Sequence, residues 1–356
     1  MKKIGICTTG GDCSGLNSVI LRLAQIGAAR GHIMYGLPDG TDVLTSPKHA
    51  TIDNLMPLSP ETMPAYMNSM AGSLLQNGNE NNINWRNCTL DACKENLREN
   101  LKSLGLDAII FIGGNGSMSL THTMGDVYSA VQVVYIPKTI DMDVPLTDSC
   151  IGFITAVNEL TRYADQIALT ARSHHRWFVI EAMGRDNGFL ALHAGLAANA
   201  SAILIPESKW KLENLITYIK KQPRDYGIIM VGEGCEIRGH SGKPADIIVR
   251  ELQKAGIPSR AGHPAHLQRA GNTVATDRIL AATYANAAMN AIDNSETMVA
   301  VLQKDNAVKS IALDDIMNAG LPVEDHQIYG VSVTTLYVPE DYPLIKTAIE
   351  SGIFIE

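Results

Sequence analysis

Two glycine-rich turns, each held between an apolar strand and a helix, leave this chain few folds to choose from. The first follows Lys3–Thr8 (KIGICT): Thr9-Gly10-Gly11-Asp12-Cys13-Ser14-Gly15, with a helix expected from Leu16 to about Ala29. The second follows Ala108–Ile112: Gly113-Gly114-Asn115-Gly116-Ser117, with a helix expected from about Met118. Strand, turn and helix in that order are the opening unit of a parallel α/β sheet. Glycine lets backbone N–H groups approach phosphate oxygens closely, and a helix N-terminus adds positive potential. The first turn is neither G-x-G-x-x-G nor a Walker A loop, and alone it reads equally well as an ordinary βα connection. A second such turn at another strand end is harder to dismiss.

A third strand end carries the chemistry. Val131–Asp143 opens as the β-branched run VQVVYI, the pattern of a buried parallel strand. It stops at Pro137 and then places Lys138, Thr139, Asp141 and Asp143 within six residues. In open α/β sheets the carboxyl edge of the strands is where ligands bind. An Asp-rich turn is the plainer reading of such a stretch. The two glycine turns at neighbouring strand ends weigh against it.

The totals limit the function classes. At 356 residues the chain suits two α/β lobes better than one core. Its formal net charge of −8 argues against a nucleic-acid binder that works by neutralising a phosphate backbone. The six cysteines form no C-x-x-C pair and no zinc-like spacing with histidine, which fits a reducing cytosol. No stretch has the ~18–20 apolar residues of a membrane span, and no signal-peptide pattern opens the chain. A cytoplasmic location is expected.

The rest of the chain repeats the βα alternation. A strand is expected at Ile33–Leu37. A helix should begin after the N-cap Thr89 and stop at Gly105. The mostly polar tract Gln76–Ile83 reads as a surface loop with little to pack. A helical stripe runs over Cys150–Thr170. Strand Trp177–Ala182 follows and ends in Met183-Gly184-Arg185-Asp186-Asn187-Gly188. Further elements are expected at Phe189–Ala198 (helix), Ala202–Ile205 (strand), Leu212–Lys221 (helix) and Gly227–Val231 (strand, ending in Gly232-Glu233-Gly234). After a helix near Ile247–Ala255, Arg260, His263, His266 and Arg269 fall within ten residues. Taken alone, that cluster reads as a solvated basic loop. A helix over Thr276–Ile292 and strands at Met298–Leu302 and Gln327–Tyr337 complete the reading. Two similar α/β lobes are the natural architecture.

The ordered set TTGGDCSGLN, FIGGNGSM, IPKTIDMD, EAMGRDNG, GEG and R-x5-H-L-Q-R resembles the phosphofructokinases that use ATP or pyrophosphate. The resemblance runs from residue 3 to about 285. It implies two Rossmann-like three-layer lobes with mainly parallel sheets and an active site in the cleft between them. Residues 1–152 plus about 268–318 would form the phosphoryl-donor lobe. Residues 153–267 plus about 319–356 would form the sugar-phosphate lobe. It implies glycolytic transfer of a phosphoryl group to the 1-hydroxyl of fructose 6-phosphate, with Mg²⁺ as cofactor and ATP or pyrophosphate as donor. Asp141 would be the base. Asp143 would orient it or bind a magnesium-coordinated water, and Thr139 would bond the moving phosphoryl group. Gly11, Gly114, Asn115, Gly116, Ser117 and Lys138 would hold the donor, with Asn115 and Asp143 toward the metal. Met183, Gly184, Arg185 and Glu233 would hold the sugar, and Arg176, Arg260, His266 and Arg269 its 6-phosphate. In that family Arg176 and Arg260 would come from a neighbouring subunit, implying a homotetramer or homodimer.

Several departures bear on the donor. Asn115 stands where the ATP-dependent pattern GGDGS has Asp, which should weaken metal binding. Gly116 stands where pyrophosphate users often carry Asp, and leaves room for ATP. Lys138 is common to pyrophosphate enzymes and one group of ATP enzymes. Asn79 aligns with an arginine that touches the transferring phosphate. Thr41 stands where an aromatic residue faces adenine, and Met142 replaces a usual Asn. Leu21 and Ala168 occupy positions of effector-binding arginines, so regulation of that allosteric type is not expected. Three functions stay open: the ATP kinase, favoured by Gly116; the pyrophosphate enzyme; and a sugar-phosphate-binding relative with little catalysis. Sedoheptulose 7-phosphate also stays open as the acceptor.

Overall fold

The strands in chain order are β1 (Lys3–Thr8), β2 (Ile33–Leu37), β3 (Met56–Leu58), β4 (Ala108–Gly113), β5 (Gln132–Pro137), β6 (Trp177–Ala182), β7 (Ala202–Leu204), β8 (Gly227–Gly232), β9 (Ser259–Gly262), β10 (Val299–Lys304), β11 (Ala307–Ala312), β12 (Leu321–Ile328) and β13 (Val331–Thr335). The computed structural model describes residues 1–47, 50–78, 89–328 and 331–354, with the side chains of 322–334 left aside. The chain divides into two units. The first comprises Met1–Thr139, Asp143–Gly152 and Asn272–Leu336. The second comprises Ile140–Met142, Phe153–Gly271 and Tyr337–Glu356.

The first unit is built on a seven-stranded sheet in the order β11-β10-β5-β4-β1-β2-β3. Strands β2, β1, β4, β5 and β10 run parallel, while β3 and β11 pair antiparallel at the two edges. All six residues of β4 and five of six in β1 and β5 are buried, so both faces of the sheet centre are covered. That is why these strands read as continuous apolar runs rather than alternating ones. Parallel strands end on one side, so the turns after β1, β4 and β5 share one sheet edge. Helix Leu16–Ala29 packs on helix Ala275–Asp293. Helix Leu90–Leu104 opens with the Thr89 side chain accepting from the Ala92 N–H and closes at Gly105 in the left-handed conformation, as its sequence signals require.

The second unit has a four-stranded parallel sheet, β7-β8-β6-β9. Helices Leu212–Lys221 and Pro244–Lys254 pack their apolar stripes (Leu215, Ile219; Ile248, Leu252) against Val179, Leu204, Ile229 and Val231. Helices Phe153–Ser173 and Phe189–Ala197 also pack on β6 and β8.

The structure departs from the sequence reading at several points. Residues 319–336 group with the first unit, and 268–271 with the second. The expected strand Gln327–Tyr337 is the antiparallel pair β12–β13, with Tyr337 outside it. Residues 150–152 precede the helix expected over Cys150–Thr170, which spans Phe153–Ser173. Arg260 lies on β9, not in a loop; register with β6 overrides the polar composition of that stretch. The helix expected from Met118 starts at Asn115. Two glycines in a row hide that start from propensity, since glycine costs about 1 kcal/mol in a helix.

Candidate active site

In the first unit three strand ends are tied together. Lys138, immediately after β5, is only 2% exposed. Its ammonium donates to the Gly11 carbonyl, so a buried cation is aimed at the first glycine turn. Thr9 Oγ1 and Ser117 Oγ lie 3.2 Å apart, linking the two glycine turns. Tyr135, fully buried on β5, donates its hydroxyl to the Gly114 carbonyl at 3.0 Å. Burial pushes that phenol well above its ordinary range, so it stays a donor. Gly113 has no room for a side chain, because a Cβ there would lie 2.2 Å from the Tyr135 hydroxyl.

Helix Asn115–Thr123 begins directly after Gly114. Asn115, Gly116 and Ser117 are therefore first-turn residues, whose N–H groups have no partner inside the helix. The structure thus gathers Gly11, Gly114, Asn115, Gly116, Ser117, Lys138 and Thr139 at one sheet edge. Of the Gln76–Ile83 tract, 79–83 lie outside the described residues, and its first residues are less idle than their composition suggests. Gln76 offers its carbonyl to Thr8 Oγ1 at 2.7 Å, and Asn77 donates to the Gly10 carbonyl at 2.8 Å. Asn79 lies outside the described residues. Beside this edge a pocket is rimmed by Thr9, Thr41, Ser117 and Thr121, with Leu44 and Leu120 among its apolar walls.

The chain leaves the first unit after Thr139 and returns at Asp143, so Asp141 falls in the three-residue segment that groups with the second unit. Met142, between the two aspartates, holds φ 56°. Non-glycine residues avoid that region at roughly 1–2 kcal/mol, and Asn bears it better than Met.

In the second unit the Met183–Gly188 loop follows β6 and is held by side chains from three other places. Gln268 Oε1 accepts the Met183 N–H at 2.9 Å. Glu233 Oε1 accepts the Gly184 and Arg185 N–H groups at 3.1 and 2.8 Å. Glu207 Oε1 accepts the Gly188 N–H at 3.0 Å and the Val338 N–H at 2.9 Å. Gly184 at φ 142° and Arg185 at φ 53° give the loop its bend. Glu233, read from the sequence as a ligand of sugar hydroxyls, thus already spends one oxygen on the loop backbone. Burial pushes the Glu207 carboxyl up, against the effect of the N–H bonds it accepts.

Glu207 escapes a motif reading, because it sits after a short strand with no signature. Gln268 stands inside the run H-L-Q-R with no role read for it, and the same holds for Glu181 inside EAMGRDNG. Only 8% exposed, it faces Lys243 and His263 at 3.4 Å each and accepts the Ala245 N–H at the start of helix Pro244–Lys254.

The phosphate-clamp candidates do not all gather. His266 and Arg269 lie on the 3-10 turn Ala265–Arg269, which Gln268 bonds to the loop. Arg176 precedes β6, at the end opposite Met183. The six residues of β6 separate them, seven steps or about 23 Å at ~3.3 Å each, whereas an arginine side chain spans roughly 7 Å. Arg260 pairs in register with Phe178, five residues or about 16 Å short of Met183. Neither guanidinium reaches the loop of its own chain.

A family model described as phosphofructokinase matches residues 3–292, and the chain belongs to that family. The ATP-dependent 6-phosphofructokinase of Natranaerobius thermophilus is 32% identical over 336 residues, covering 93% of this chain and 98% of that protein. The ATP-dependent 6-phosphofructokinase of Staphylococcus carnosus is 32% identical over 339 residues, with the same coverage. Among solved structures, phosphofructokinase from Saccharomyces cerevisiae superposes with TM-score 0.76 at 26% identity, over 88% of this chain and 45% of the yeast chain. A pyrophosphate-dependent phosphofructokinase from Nitrosospira multiformis superposes with TM-score 0.77 at 19% identity, over 100% of this chain and 89% of that one, and shares the fold.

Proposed function

We propose that this protein is an ATP-dependent 6-phosphofructokinase that makes fructose 1,6-bisphosphate. The observation that carries phosphoryl transfer is the buried Lys138 ammonium, fixed on Gly11 beside the first turn of helix Asn115–Thr123, while Gly116, which leaves room for ATP, favours that donor. A loose phosphoryl-transfer transition state needs positioning and charge neutralisation more than covalent help. A buried cation, the first-turn N–H groups of a helix and glycines without side chains supply that on the donor side. Relatives named ATP-dependent, matched along nearly their whole length, support the same choice.

In this reading Asp141 accepts the proton of the sugar 1-hydroxyl as that oxygen bonds to the γ-phosphorus. The bond from the γ-phosphorus to the β–γ bridging oxygen breaks, ADP leaves, and the proton passes from Asp141 to solvent. Thr139 bonds the moving phosphoryl group, Asp143 orients Asp141, and Arg185 offsets charge on the transferring group. Among the described residues no group of three or more His, Cys, Asp or Glu could hold a metal ion. Asn115 and Asp143 offer oxygen of the kind Mg²⁺ takes, which fits an ion arriving on the donor's phosphates with most of its water. When bound it would neutralise phosphate charge. Met183, Gly184, Arg185 and Glu233 take the sugar, and His266 and Arg269 take its phosphate. Arg176 and Arg260, too far from their own loop, would serve the loop of a second copy, so the active form is a homo-oligomer. No helix among the described residues is long and apolar enough to cross a membrane, and a cytoplasmic location is part of this reading.

The test is a donor panel of ATP, ADP and pyrophosphate against fructose 6-phosphate, with Asp141→Asn alongside. ATP should support turnover at about 1–100 s⁻¹. Asp141→Asn should lower kcat by about 10²–10⁴ with little change in the sugar-phosphate KM. Turnover with pyrophosphate alone would refute the donor. That second reading is favoured by Asn115 in place of a charged metal ligand. No turnover with any donor, but micromolar sugar-phosphate binding, would leave the non-catalytic reading.

A further inference from the structure

We infer that Gln268 is a positioning residue that locks the Met183–Gly188 loop to the turn bearing His266 and Arg269, and so sets affinity for the sugar phosphate. The inference rests on the acceptor reading above. On the turn Ala265–Arg269, His266 and Leu267 face solvent, while Gln268 points inward at 2% exposure. A buried amide is costly unless its oxygen and its NH₂ group are both paired. Here they are. Oε1 accepts the Met183 N–H at 2.9 Å, and Nε2 donates to the Ala265 carbonyl at 3.2 Å and more weakly to the Glu181 carbonyl at 3.5 Å. One N–H donor on one side and two carbonyl acceptors on the other also fix which way the amide faces.

The bonds join two groups the acceptor needs. Met183 opens the loop whose next two N–H groups are held by Glu233. Ala265 opens the turn that carries the 6-phosphate candidates. The Glu181 carbonyl belongs to β6, so the amide also anchors both to the strand end. A side chain that both accepts and donates is required. Glutamate would accept the Met183 N–H but face two carbonyl oxygens with no proton to give. Leucine would take away the side-chain partner of all three backbone groups. A satisfied core glutamine with no bearing on the acceptor is the plainer alternative, and it predicts loss of stability without substrate selectivity.

The experiment uses the full chain with Gln268→Glu and Gln268→Leu. The fructose 6-phosphate KM should rise at least about tenfold in both, with the ATP KM within about twofold of wild type. The Gln268→Glu defect should shrink as pH falls, because a protonated carboxyl can donate again; the Gln268→Leu defect should not. Amide hydrogen exchange should quicken together in residues 181–188 and 263–270. A wild-type sugar-phosphate KM, or equal losses for both substrates with a lowered melting temperature, would overturn the role. If the wild-type protein turns over no fructose 6-phosphate, the acceptor reading fails on its own. Exchange then still decides: joint loosening upholds the lock, and unchanged exchange overturns it.

Discussion

Gly113→Ala is a one-carbon change whose cost can be worked from geometry. The added Cβ would meet the Tyr135 hydroxyl at 2.2 Å, Thr9 Cγ2 at 2.6 Å and Ser117 Cβ at 3.2 Å. Carbon contacts settle near 3.5–4.0 Å, so Tyr135 must move by over 1 Å. It has no free space, being fully buried and stacked on Phe111 with ring centroids 6.4 Å apart. Movement also breaks its bond to the Gly114 carbonyl. Overpacking costs about 1–3 kcal/mol and the broken buried bond about 1–3, which together make about 2–6 kcal/mol. Gly72→Ala is the control: at φ +74° with nothing within 4 Å, it should cost only the ~1–2 kcal/mol of backbone strain. Urea midpoints of both variants measure the contrast. Tyr135→Phe removes the nearest clash. The pair should therefore be less destabilised than the sum of the singles by about 1–2 kcal/mol. The ATP KM should rise in Gly113→Ala, since Gly114 and Ser117 move with Tyr135. A Gly113→Ala midpoint equal to that of Gly72→Ala, or strict additivity with Tyr135→Phe, would refute the packing argument.

Two pH dependences follow from the second unit. Burial raises the Glu207 carboxyl above 4.5, so from pH 4.5 upward the folded chain holds more protons than the unfolded one, and this residue's stabilisation is lost as pH rises through the folded value. Glu207→Gln should remove that loss. Its midpoint should gain on wild type from pH 4.5 upward, and parallel curves would exclude the effect. His193 behaves oppositely. Burial lowers its pKa below 6.5, against its bond to the Phe189 carbonyl, and its ring packs edge-on to Phe153 at 4.9 Å. The unfolded chain then binds more protons below pH 6.5, so stability present above 6.5 falls as pH drops through the folded value. His193→Gln should flatten the acid side of the stability curve in thermal melts at pH 5 and 7. An unchanged slope would count against it.

Much of the framework was legible because its signals are local. Helices Leu16–Ala29 and Leu212–Lys221 and strands Lys3–Thr8, Ile33–Leu37 and Trp177–Ala182 stand where periodicity and apolar runs place them. Thr89 and Gly105 mark a helix's ends by cap chemistry that needs no tertiary contact. The phosphofructokinase motifs are legible for a similar reason: each is a short run at a strand end, where a parallel sheet must place its loops. Sequence therefore determines which residues arrive at the edges, and with strand rise it even shows that Arg176 cannot meet Met183 within one chain.

What it could not determine depends on partners distant in sequence. Asn115 starts a helix despite the neighbouring glycines. Arg260 becomes strand because β9 finds β6, and Lys138 is buried on a carbonyl 127 residues away. Glu207 is buried where it holds the N–H of Val338, 131 residues on, and Gln268 joins a turn to a loop 85 residues before it. Such side chains answer buried N–H groups and carbonyls that only the assembled fold creates, and those groups carry no mark in the residue order.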